Sequence, residues 1–144
     1  MKLSCLLFWM VWATPRAPQS IQISSDKPYL KIAFGSCYQK KKDTDDIFAT
    51  IMEEKPDLFI WSGDATYIDK SPFYDDSEHF AKKFEETKEN PSYKLLLEKT
   101  KVIGIWDDHD FGKNDGGKSF NYKDEIRPVF LDFVGEGNAT ERRL

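Results

Sequence analysis

The sequence predicts an α/β fold organised around a three-stranded parallel βαβαβ sheet, and three observations predict it. First, an apolar run of strand length, a polar loop and a helical stretch recur in order along the chain, which is the pattern of a parallel sheet with helical crossovers. Second, the middle run, residues 58–61 (Leu-Phe-Ile-Trp), is continuously apolar and does not alternate, as expected of a strand covered on both faces. Third, each run ends in side chains capable of chemistry: Cys37, then Asp64, then Asp107-Asp108-His109. Ligands of parallel α/β sheets bind beyond the carboxyl ends of the strands. Three strands alone leave two open edges, so the predicted sheet is a portion of a larger one.

The first strand is expected over residues 30–34, closing in Gly35-Ser36-Cys37. Lys40-Lys41-Lys42 reads as a solvated loop. A helix follows, with Asp43 as N-cap, Asp45 and Asp46 in the first turn where the helix dipole favours anions, and Ile47, Phe48, Ile51 and Met52 on one face. Pro56 stops it. After the second strand, residues 76–88 form a heavily charged helix that keeps Phe80 and Phe84 at i,i+4, with His79 on its surface. Asn90-Pro91 then offers an N-cap and a first-turn proline for a short helix carrying Tyr93, Leu95, Leu96 and Leu97. The third strand spans residues 102–106. A last helix places Ile126, Val129, Phe130 and Phe133 at i, i+3, i+4 and i+7, with Pro128 in or near its first turn.

A chain of 144 residues suits one ordinary domain. Its net charge of -4 argues against a nucleic-acid-binding face but not against phosphate esters, because cations bound at carboxylates reverse the local field. Residues 1–13 (a Lys2 start, an apolar run to Trp12, a small Ala13) read as a signal peptide and imply a secreted or secretory-pathway protein. That run is about half the roughly 20 residues a membrane span needs. Residues 14–28, with three prolines, read as an extended lead-in, leaving residues 29–144 as the domain. Asn138-Ala139-Thr140 is a glycosylation sequon at Asn138. With Cys5 in the leader, Cys37 is alone in the mature chain. It is then a buried inert thiol, half of a disulfide with a partner outside the chain, or a metal ligand.

Asp107, Asp108, Asp110 and Asp115 crowd around His109 within nine residues. Free carboxylates so close repel one another, and a cation relieves that repulsion; carboxylates suit hard cations such as Ca, Mg, Mn and Fe(III). A solvated acidic turn around glycines is the competing account. The spacing is not that of a calcium EF-hand, whose terminal Glu is missing. Gly63 permits a tight turn, and Asp64 after a buried strand could bridge two cations. Tyr67 offers a phenol and Asp69 a further carboxylate. A thiolate at Cys37 would select a transition metal. His109 could stabilise phosphoryl charge or protonate a leaving oxygen.

Ile32-Ala33-Phe34-Gly35-Ser36-Cys37, Trp61-Ser62-Gly63-Asp64-Ala65-Thr66-Tyr67-Ile68-Asp69 and Ile105-Trp106-Asp107-Asp108-His109-Asp110-Phe111-Gly112-Lys113-Asn114-Asp115-Gly116 closely resemble, in order, the alkaline phosphatase D (PhoD-like) metallophosphatases of the calcineurin-like superfamily. The resemblance implies a two-sheet α/β sandwich flanked by helices, of which this chain holds the N-terminal portion. It implies a phosphatase or phosphodiesterase that hydrolyses esters with metal-activated water, using two or more metal ions, with iron and calcium favoured and other divalent metals possible. Carried over by motif, Cys37, Asp64, Tyr67 and Asp108 are the metal ligands and His109 is catalytic. Asp107, Asp110 and Asn114 are supporting residues that order the loop. Family members are much longer, and their later ligands have no counterpart before Leu144. Two readings therefore stay open: part of an enzyme, or a catalytically incomplete remnant or calcium-binding module.

Overall fold

The computed structural model describes residues 28–40, 47–70 and 77–144. The signal peptide, most of the lead-in, the caps at Asp43 to Asp46 and the loop before the second helix lie outside the described residues. The elements run β1 (Ile32–Gly35), α1 (Ile47–Glu53), β2 (Leu58–Ser62), a 3-10 turn (Ile68–Lys70), α2 (Ser77–Lys88), α3 (Pro91–Lys99), β3 (Lys101–Ile105), α4 (Lys123–Phe133) and a C-terminal 3-10 turn (Glu141–Arg143). The strands form one parallel sheet in the order β1-β2-β3. Ile32 lies beside Leu58, and Leu58 beside Lys101. This is the predicted α/β arrangement, with β2 in the middle.

Local chemistry explains the boundaries. β1 starts two residues later than expected because the Lys31 amide is taken by the Asp57 carboxylate at 2.9 Å, while the Asp57 amide donates to the Lys31 carbonyl at 2.8 Å. α3 begins where predicted: the Asn90 side chain accepts from the amides of Ser92 and Tyr93 at 2.9 and 3.0 Å. α4 starts early enough that Pro128 is its sixth residue. The ring therefore sits in the second turn, on an exposed position, and not in the first.

An aromatic core joins the sheet to the four helices of the described residues. Phe59 and Trp61 of β2 and Val102 of β3 cluster with Phe48 of α1, Phe84 of α2, Tyr93 and Leu96 of α3, and Phe130 and Phe133 of α4. The Trp61 indole N–H donates to the Tyr93 hydroxyl at 2.8 Å, so both polar ends are satisfied inside the core. Burial pushes the Tyr93 phenol upward, against that bond. Gly104 has no side chain because a Cβ there would stand 2.7 Å from Trp61 Cβ.

Some expected core positions differ. Ile47 and Leu95 are exposed, at the start of α1 and on the outer side of α3. His79 is half-buried, and its Nε2 is shielded from solvent, which corrects its assignment to the surface. On the face opposite the core, β2 is covered as expected, with Leu58 buried and Ile60 partly buried, but the edge strands are not. Neighbouring residues across a parallel sheet share a face, and the face opposite the core carries Ile32, Phe34 and Ile105, which are exposed.

Candidate metal centre

Three loops leave the carboxyl ends of the strands and are stitched together by backbone bonds. The Cys37 and Tyr38 amides donate to the carbonyls of Gly63 and Asp64, at 3.3 and 2.9 Å. The Ile68 amide donates to the His109 carbonyl at 3.2 Å. Gly63 lets the second loop pass close to the third: its φ is +100°, and a Cβ would lie 2.6 Å from Asp107 Cβ. Cys37 and Asp64, neither a glycine, also take left-handed backbone, with φ of 55° and 53°. Such conformations are uncommon outside glycine and cluster at functional sites.

Three of the predicted residues converge, and Cys37 and Tyr67 lie outside that cluster. One carboxylate oxygen each from Asp64 and Asp108 and one ring nitrogen of His109 all lie within 4.8 Å of one another, an arrangement that could hold a metal ion. Asp64 is buried, and its Oδ1 has no hydrogen-bond partner among the described residues. A buried carboxylate oxygen left unpaired is costly, and a cation would satisfy it. The other oxygen, Oδ2, accepts from the Cys37 thiol at 3.6 Å and the Tyr67 hydroxyl at 3.4 Å. Asp64 thus touches the thiol and the phenol through one oxygen and also belongs to the cluster with Asp108 and His109. Cys37 is exposed, which removes the account of it as a buried inert thiol.

The electrostatics are graded. Asp108 is held below the usual carboxylate range, first by the Asp115 amide, which donates to its Oδ2 at 2.6 Å. The Tyr67 phenol is raised, chiefly by burial and further by the charges of Asp64 and Cys37, with a hydrogen bond to Gln39 opposing. Its ring packs on that of His109, with centroids 4.3 Å apart.

The supporting residues divide. Asp110 is fully buried and accepts from the Thr66 amide on Oδ1 at 2.8 Å and from the Asp107 amide on Oδ2 at 3.3 Å. It ties the second loop to the third. Burial pushes its carboxyl up to about 7, against the two amides. Asp107 is exposed, and its Oδ1 accepts from the Asp108 amide at 3.0 Å. Asn114 is exposed and donates to Asp115 at 2.6 Å, so it orders the loop and is not among the three clustered ligands. Asn138 is exposed.

Sequence reasoning gave Asp69 no role. Its Oδ1 lies 2.8 Å from His109 Nδ1. With Nδ1 donating there, Nε2 is the ring atom left for a ligand or substrate. The one available signal was its place five residues after Asp64. No helix among the described residues is long and apolar enough to cross a membrane. Compared with family models, curated proteins and solved structures, the chain matches none.

Proposed function

We propose that this protein is a secreted, metal-dependent phosphoric ester hydrolase of the alkaline phosphatase D kind. The observation that carries the reading is the cluster of Asp64, Asp108 and His109, in which the buried Asp64 also leaves its Oδ1 without a hydrogen-bond partner among the described residues. The donor chemistry supports two cation positions. The thiol and phenol near Oδ2 suit a transition ion such as iron, and the Asp108 carboxylate suits a hard cation such as calcium. Bound cations would supply Lewis acidity toward a phosphoryl oxygen and lower the pKa of a water.

The chain's own residues do the rest. Asp64 would link the two positions. Asp69 holds the His109 ring so that Nε2 can stabilise phosphoryl charge or give a proton to the leaving oxygen. Asp110 fixes the spacing of the loops that carry these groups. The apolar run of residues 3–12 in the sequence and the exposed Asn138 sequon are what support the secretory assignment.

Metal analysis of the purified protein, with hydrolysis of p-nitrophenyl phosphate and its diester, tests the reading. Metal-dependent turnover that falls at least about 100-fold in Asp64→Ala is expected, given that even outer partners of a metal site commonly cost 10–100-fold. Turnover unchanged in that variant would overturn the mechanism. A second reading comes from the donor count. Asp64, Asp108 and His109 form one three-residue cluster, enough protein ligands for a single ion whose shell water completes. On that reading the chain holds a single cation and turns nothing over; one bound ion with no hydrolysis would favour it.

A further inference from the structure

A cavity of about 650 Å³ adjoins the candidate site at Asp69 and Asp115. Asp69 forms part of its wall, and the same carboxylate is bonded to the histidine. The loop after the metal-ligating segment forms most of the rest, with Asn114, Asp115, Phe120, Asn121 and Tyr122. Asp115 is joined to Asp108 through its amide, so the wall and the metal-ligating loop are one unit. We infer that this cavity receives the leaving group of the ester, and that this group is a nucleoside. The inference rests on the phosphatase reading for the direction of the substrate: the cavity adjoins the metal-ligating loop through Asp69, bonded to His109, and Asp115, bonded to Asp108, so a group attached to a phosphoryl oxygen held there reaches it.

The lining narrows the chemistry. The volume falls within the roughly 300–1,000 Å³ of small-molecule sites. Asp69 and Asp115 outnumber the nearby Lys113 among charged wall residues, so a second anionic group would be repelled. Phe120 and Tyr122 are half-buried with ring centroids 5.7 Å apart, and Phe120 is held from behind by Phe111 at 6.0 Å. Supported but partly open rings are platforms for a flat π-system. Asn121 brings a carboxamide, which matches the paired donor and acceptor on a base edge. A neutral, planar group with both kinds of hydrogen-bonding function fits this lining better than an aliphatic alcohol or a second phosphate. Another cavity, about 240 Å³ beside Tyr67, is smaller, and Lys40 and Lys83 are among its lining residues.

Calorimetric titration with adenosine and with ribose separates base recognition from sugar recognition, and needs neither metal nor turnover. Adenosine should bind at one site, with ribose at least about tenfold weaker, the factor for one stacking contact. Tyr122→Leu and Asn121→Ala should each weaken adenosine about tenfold while circular dichroism stays unchanged. Equal binding of the two probes, or adenosine binding untouched by both variants, overturns the nucleoside assignment. With metal present, hydrolysis of adenosine 5′-monophosphate should exceed that of ribose 5-phosphate in kcat/KM by a similar factor, and Tyr122→Leu should abolish the preference. Turnover of both esters without that preference overturns the leaving-group assignment alone. Bound adenosine with no turnover of any ester overturns the phosphatase reading and the leaving-group assignment, and leaves a nucleoside site.

Discussion

Asp110 shows how far a residue's role depends on distant partners. In the sequence it is one more aspartate in an acidic loop, yet it is fully buried and accepts from the amides of Thr66 and Asp107. Asp110→Asn would keep one acceptor and turn an amide group toward the other donor. An orphaned buried amide costs about 1–3 kcal/mol, so urea unfolding should show a loss of that order. Asp69→Asn acts on function instead. It removes the charge that faces His109 Nδ1, and loss of such a partner lowers metal affinity or activity about 10–100-fold. Isothermal titration with metal and ester turnover would check this, with unfolding midpoints as the control. Cys37, Asp64, Asp108 and His109 were legible because each follows an apolar run, and the ends of parallel strands share an edge. Asp69 was not, because its partner lies 40 residues away and a 3-10 turn sets its direction.

At the scale of elements, legibility follows locality. The start of α3 could be read from Asn90-Pro91 because capping involves only the next few residues. Asn90→Ala should therefore cost about 1 kcal/mol, seen as a lower urea midpoint with an unchanged slope. The start of β1 could not be placed as well, since it is set by the Lys31–Asp57 exchange across 26 residues. Gly63 lies between these cases. Its turn was foreseeable, but the atom it avoids, Asp107 Cβ, was not. Gly63→Ala meets both a left-handed φ and that 2.6 Å approach, and either kind of strain costs about 1–3 kcal/mol. The variant should be destabilised by at least that amount and bind metal more weakly, because the displaced segment carries Asp64.

Across the whole molecule, the sheet has two unequal faces. Continuous apolar runs told that both faces are apolar, and double coverage followed as an expectation. Whether a layer lies on each face is decided by the rest of the chain, and side chains from all four helices join the core on the Phe59–Trp61 side. The opposite face leaves Phe34 75% exposed while Phe59, on the neighbouring strand, is 1% exposed. Two phenylalanines on adjacent strands should then differ sharply in what they contribute. Phe59→Ala opens a cavity between Trp61 and the helices, and such changes cost about 3–5 kcal/mol. Phe34→Ser removes a ring already mostly in water, and surface changes of that kind stay within about 0.5 kcal/mol. Urea unfolding of the two variants in parallel decides the matter. A large loss in Phe34→Ser would mean that another layer covers this face in solution, and the sheet would then be buried on both sides as the apolar runs imply.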